Sequence, residues 1–288
     1  MLIVESGQAP VSSVAFSTDA ATVYVGHDDG SLSRVTPGGA VESLGAFGSR
    51  VHAIAARPKT DDVYACCTGW IATINPDSPP GKPSVLSRRT GPLTAIAFVS
   101  DDLLASGTGD LAKVGGGSAS FDDLKSNKVV GRVVNEAGGI RSFACHRPTR
   151  TIAWATGDRL VRIMPLAKPD AMKLAFDQNA TALAWSADGT RIMAGLGWIV
   201  RGIDPASRRT LFEATGHKGR VTGIEALPDG SFLSAAWDEL IHWWSPDGEL
   251  VRTLAFGIGK LTALAVSEDG SRAAAGGARG NVVMWDLM

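Results

Sequence analysis

One short pattern recurs seven times along this chain, and its period does more than any other feature to limit the fold. It reads VSSVAF from Val11, VHAIAA from Val51, LTAIAF from Leu93, IRSFAC from Ile140, ATALAW from Ala180, VTGIEA from Val221 and LTALAV from Leu261. The successive starts are 40, 42, 47, 40, 41 and 40 residues apart. Turn signals follow the copies: TDA at 18–20, ADG at 187–189, PDG at 228–230 and EDG at 268–270. After each come a second short apolar run, a turn rich in Gly or Asp, and a third run. Short runs bounded by polar turns, with no helical period, read as β-strands. A period near 40 with four strands per unit is that of a propeller blade. The expectation is an all-β chain: a seven-bladed β-propeller of four-stranded antiparallel blades, forming one domain over 1–288. Only 28 residues remain from Leu261 to the end, enough for three strands. Leu2, Ile3 and Val4 are expected to supply the fourth and so close the last blade, leaving no open ring edge.

The last two repeats carry further signals. The seventh ends GNVVMWD at 280–286. In the sixth, Gly216-His217 precede the first strand, Ser234 lies on the second, Asp238 falls in the next turn and Trp244 ends the third. In these residues and in its period the chain resembles the WD-repeat family, with degenerate repeats elsewhere. That resemblance implies that His217, Ser234, Asp238 and Trp244 form a hydrogen-bonded structural tetrad. It also implies that the face bearing the b–c turns and d–a loops holds partners.

The first strands show a second regularity. Their third and fifth residues are small: Ser13 and Ala15, Ala53 and Ala55, Ala95 and Ala97, Ser142 and Ala144, Ala182 and Ala184, Ala263 and Ala265. Residues i and i+2 of a strand share a face, so a small column suits a crowded hub where blades converge. The sixth strand has Gly223 and Glu225 there, and Glu225 is the only charged member. A buried carboxylate needs a partner or a raised pKa. Glu225 is expected to be structural, paired with an Arg or a hydroxyl; the alternative is a channel-lining acid that binds something. The second positions read Ser12, His52, Thr94, Arg141, Thr181, Thr222 and Thr262. By the family resemblance they face the mouth of the channel. They include no carboxylate ring to hold a hard cation.

No catalytic constellation with convincing spacing is present: no P-loop, Gly-x-Ser-x-Gly elbow, His-Glu-x-x-His or Cys-x-x-Cys. The five histidines, at 27, 52, 146, 217 and 242, are dispersed. His146 reads as a turn residue and His242 as a packing or surface residue. No metal, no cofactor and no enzymatic activity are expected. Lys and Arg total 28 against 29 Asp and Glu, so no general basic field would draw nucleic acid. Cys66, Cys67 and Cys145 cannot form a disulfide framework and suit a reducing cytosol; adjacent in a strand, Cys66 and Cys67 should point to opposite faces. No apolar run approaches the ~20 residues of a spanning helix, and the start has no signal-peptide character. The expected location is cytoplasmic, without membrane association.

Three b–c turns carry Trp: Trp70, Trp198 and Trp237. Near them, or at the mouth, lie His27, Asp28, Arg50, His52, Arg141, Lys218, Arg220 and Arg279. Trp with Arg is the composition of interface hot spots. The expected function is a non-catalytic scaffold that binds a peptide or protein on the upper face through Trp237, Trp198, Trp70, His52, Arg141, Arg220 and Asp28. On this reading the chain is a monomer alone or a subunit of a complex. The alternative is a small-ligand sensor or propeller enzyme using the central funnel, with Glu225, His52 and Arg141 as polar handles. The third repeat is the longest, and its c–d hairpin is expected to carry Asp122, Asp123 and Lys125 at the tip. The Pro-rich stretch at 77–84 reads as another c–d connection.

Overall fold

Seven antiparallel sheets of four strands each are arranged as blades around a central channel. The structure is a computed structural model that describes residues 1–60, 62–77, 84–89, 91–109, 116–168 and 171–287, apart from the side chains of 134 and 135. Strands within each blade are lettered a to d from the channel outward. The a strands are Val11–Phe16, Ala53–Ala56, Leu93–Ser100, Ile140–His146, Ala180–Trp185, Val221–Ala226 and Leu261–Val266, for blades 1 to 7. The ring closes as expected. Leu2–Glu5 is strand d of blade 7 and pairs antiparallel with strand c, Asn281–Asp286, in the register Leu2↔Met284 to Glu5↔Asn281. Ser6 extends the join, its backbone N–H and its hydroxyl both donating to the Gly280 carbonyl at 2.9 Å.

Burial falls from the inside outward. Strand b is wholly buried in blades 1, 2, 5 and 6, whereas strand d of blade 6, Leu250–Ala255, is almost wholly exposed. A strand covered on both faces reads as continuous apolar residues; Ile192–Leu196 does so. The core is divided into seven apolar clusters, one between each pair of neighbouring blades. Cys66 and Cys67 fall in two different clusters, one on each side of blade 2, as adjacent strand residues must. Burial pushes the Cys67 and Cys145 thiols up to about 12 and raises Cys66 as well.

The small column has a structural reason. A Cβ placed on Gly223 would lie 2.7 Å from the Cβ of Leu264 in the next blade. The third position must be small because the fourth-position side chain of the neighbour packs onto it. In blade 1 the same position is Ser13, whose hydroxyl accepts the N–H of Ile54 at 3.0 Å.

The second positions behave in a way the sequence does not announce. In six blades the a–b pairing breaks register there, as between Val221 and Gly223. Four of these residues are threonines that donate to the first residue of the next blade's a strand. Thr94 reaches Ile140 O at 2.6 Å, Thr181 reaches Val221 O at 2.7 Å, Thr222 reaches Leu261 O at 3.0 Å and Thr262 reaches Val11 O at 2.6 Å. Each also donates to a strand-b carbonyl of its own blade. These hydroxyls are blade-to-blade locks rather than free polar groups at the mouth.

Blade 3 has the long c–d hairpin that was expected, Gly116–Asp123 with Lys128–Ala137. Its tip holds Asp123, whose Oδ1 accepts the N–H of Lys125 and of Ser126 at 2.9 Å. Lys125 extends to Asp102 at 2.7 Å. Asp122, expected at the tip, is instead buried against Arg89, because its position in strand c faces inward. The segment 78–83, within the stretch read as a c–d connection, lies outside the described residues. No described helix is long and apolar enough to cross a membrane.

Candidate functional site

The b–c turns and d–a loops meet on one face, called upper here, around the channel mouth. In blade 6 a b–c turn, Trp237–Glu239, carries Asp238, and the preceding d–a loop carries His217. His217 Nδ1 lies 2.9 Å from Asp238 Oδ2, its Nε2 lies 2.8 Å from Ser234 Oγ, and Trp244 Nε1 donates to Ser234 Oγ at 2.8 Å. A carboxylate only accepts, so His217 carries its proton on Nδ1 and takes the Ser234 hydroxyl proton at Nε2. All four groups are satisfied by one chain of donors running inward from the rim. Asp238 also accepts the N–H of Lys218 at 2.8 Å and of Leu240 at 3.2 Å. Burial lowers the His217 pKa against the pull of Asp238, so the ring is neutral near pH 7.

Blades 3 and 4 fill the same node with other chemistry. Through the a–b–c pairings Asp122 of blade 3 occupies the place of Trp244, and Arg89 precedes its a strand by the same interval as His217. The two form a buried ion pair. In blade 4, Glu136 stands where His217 does, Asp158 where Asp238 does, and Arg162 where His242 does. Arg162 lies 2.7 Å from Glu136, 2.9 Å from Asp158 and 2.5 Å from Thr156 Oγ1. Burial raises the Glu136 carboxyl even beside Arg162. For Asp158, burial is outweighed by Arg162 and Thr156, and its pKa is lowered.

The histidines are less dispersed than their sequence positions suggest. His242 is buried, with its ring 4.1 Å from that of His217, and ligand atoms of His217, Asp238 and His242 lie within 4.8 Å of one another. His242 Nδ1 is 3.0 Å from Thr253 Oγ1. His146 is not a plain turn residue: it ends its strand, is buried, and bonds Thr149 Oγ1 and the Ala187 carbonyl. His27 is wholly buried with Nδ1 donating to Ala9 O at 3.1 Å, so it does not reach the mouth.

The tryptophans separate into two kinds. Trp198 and Trp237 sit in their turns and are 63% and 43% exposed. Trp70 is instead the first residue of its strand c, half-buried, with its ring 5.5 Å from that of Phe47. Arg220 lies over the Trp237 ring at 5.3 Å and Lys260 at 5.6 Å. Asp28 pairs with Arg50 at 3.0 Å. His52 and Arg141 line the upper channel with Ser12 and the lock threonines. Burial, and then Arg50, hold the His52 pKa below its ordinary value.

Opposite, the channel opens into a lower funnel of about 810 Å³ lined by Glu225, His146, Trp185 and residues of the a–b turns. Arg147 of blade 4 and Glu268 of blade 7 bridge its rim at 2.9 Å. Glu225 lines both the upper channel and this funnel. It has no Arg or hydroxyl partner among the described residues, so the expected structural pairing is not found. Burial alone pushes its carboxyl up to about 8. The folded chain therefore holds a proton that the unfolded chain releases near pH 4.3. The native state binds more protons across that window, so stability falls as pH rises from about 4.5 to 8. Glu225→Gln removes this loss. Melting should rise by a few degrees at pH 9 and hardly change at pH 4; an equal change at both would show that Glu225 does not titrate this way.

Residues 208–245 match the family model for the WD domain, G-beta repeat. That stretch carries a WD repeat, set within a seven-bladed β-propeller. The matched span runs from strand d of blade 5 through strand c of blade 6, the stretch that contains His217, Ser234, Asp238 and Trp244. The WD-repeat fold generally mediates protein interactions and is typically a non-catalytic scaffold.

Proposed function

We propose that this chain is a non-catalytic scaffold whose upper face receives a peptide or protein partner. The observation that carries the reading is the exposed Trp237, flanked by Arg220 and Lys260 at the channel mouth. Trp198 adds a second exposed ring on the neighbouring blade's turn. The other large exposed side chains are aliphatic and lie mostly on outer strands, such as Val41, Leu211 and Val251. Trp and Arg together dominate binding hot spots, and a turn held by a rigid blade presents them at little entropic cost. His52, Arg141 and Asp28 with Arg50 form the adjoining rim; Trp70 contributes as support beneath it. Three unpaired cysteines, two of them buried, suit a reducing compartment, which supports a cytoplasmic location.

Trp237→Ala should lower partner retention at least tenfold in a pull-down, a loss of about 1.4 kcal/mol or more. Its melting temperature should stay within about 2 °C of the parent, since the ring is outside the core. Full retention of every partner would place binding on another face.

The lower funnel favours a second reading, a small-ligand sensor, because it joins a cavity of about 810 Å³ to a carboxyl with no protein partner. The two readings separate by mutation. A ligand seated there is sensitive to Glu225→Gln and indifferent to Trp237→Ala.

A further inference from the structure

Resting on that docking reading, we propose that the segment received at the mouth is acidic, a short run of Asp or Glu whose carboxylates are held by Arg141 and Arg220. Arg141 lines the mouth, and its Nε is buried without a hydrogen-bond partner. An orphaned guanidinium N–H costs free energy unless something arrives to accept it. Arg220 lies over the Trp237 ring at 5.3 Å on the same face, and burial, then Arg141, lower its pKa. Neither is ion-paired among the described residues, and the same holds for Lys218, Lys260 and Arg279 on the adjoining loops. Other arginines of the chain do have acids, among them Arg34, Arg57, Arg162 and Arg201.

Two acids near the mouth, Asp238 and Asp28, are already committed. Both oxygens of Asp238 are taken by His217 and the N–H groups of Lys218 and Leu240, and Asp28 holds Arg50. Glu239 is an exposed acid on the Trp237 turn. Arginine charges on this face, with further cations on the adjoining loops, are stabilised by carboxylates. Arginine forks match that group bidentately. Nucleic acid is the weaker fit. The chain carries a net charge of −1, and the cations cluster at one mouth instead of tracking a backbone path.

Fluorescence anisotropy on the full chain tests this with three labelled probes: hexaglutamate, hexaglutamine and a dT12 oligonucleotide. Hexaglutamate should bind at least tenfold more tightly than hexaglutamine at 20 mM salt. The gap should narrow at 300 mM, where screening shortens to roughly 6 Å. Arg141→Gln/Arg220→Gln should cost hexaglutamate at least tenfold while the melting temperature holds. Equal binding of the two peptides, or indifference to the double substitution, overturns the inference. Tighter capture of dT12 than of hexaglutamate, lost in the same variant, also overturns it and makes the surface a nucleic-acid one. A native partner lost from Trp237→Ala but unaffected by salt and by the double substitution would leave the docking face standing and remove the acidic specificity. A partner unaffected by all of these changes would remove both.

Discussion

A variant lacking residues 1–6 should melt about 10 °C below the full chain. The first strand lies in blade 7 although the chain continues directly into blade 1, so it ties the two ends of the ring together. Its removal leaves strand c of blade 7 as an open edge. Val4 is lost from the cluster between blades 7 and 1, and Leu2 from its contact near Gly39. Losing those partly buried side chains costs about 3 kcal/mol by area, and the ladder and Ser6 bonds to Gly280 go with them. A domain of this size shifts by ~2–4 °C per kcal/mol. After the deletion, contact between blades 7 and 1 rests on packing, on the Thr262 bond to Val11 O and on the Arg272 bond to Ala20 O. Ile3→Lys is the control: its side chain is 44% exposed and should tolerate charge with little change. Differential scanning calorimetry reads both. An unshifted transition in the deletion variant would mean that the first strand adds nothing to the ring.

What was legible in the sequence was whatever the fold enforces in every blade. Strand a must be small at alternate positions because the neighbour's Leu264-type residue packs there, and that requirement made the repeat visible even where family motifs are absent. Blade number, blade boundaries and the closing strand followed from it. The polar nodes of blades 3 and 4 were not legible by residue type, since the position of His217 is Arg89 in one and Glu136 in the other. The signal was an interval: each lies four residues before its a strand, at Leu93 and Ile140, as His217 does before Val221. The lock threonines face the channel as expected, but their bonds to the next blade were not legible. A hydroxyl at a channel mouth looks the same in sequence whether it faces water or a neighbour's carbonyl, and only the break in register turns it toward the next blade. Asp122 and Trp70 were misplaced by one or two positions at strand ends, where one residue's shift moves a side chain to the opposite face. The placement of Glu225 depended on which neighbours surround it, and these come from the next blade, about 40 residues away.

Arg162→Ala should destabilise the chain by about 3–5 kcal/mol near pH 7.5, the range found when one member of a buried ion pair is removed. Among the described residues Arg162 is the cation ion-paired with both Glu136 and Asp158, and its side chain and that of Glu136 are 9% and 6% exposed. Without it two carboxylates remain at one node, with Thr156 as the nearest polar neighbour of Asp158. The loss should shrink on acidification. Glu136 is already raised by burial, and removing Arg162 raises it further. A proton is then taken up in the folded state at a pH where the unfolded chain is still ionised, so the penalty is largest above that raised value and fades as pH falls through it. Urea unfolding at pH 7.5 and pH 5 measures both quantities. His217→Ala provides the comparison in blade 6, where loss of the ring leaves only Asp238 charged, still bonded to two backbone N–H groups. Its cost should therefore be smaller and should lack the same easing toward pH 5. If the two variants respond alike to pH, the charged node of blade 4 is no more than a sterically filled version of the node in blade 6, and Glu136 does not carry the burden assigned to it.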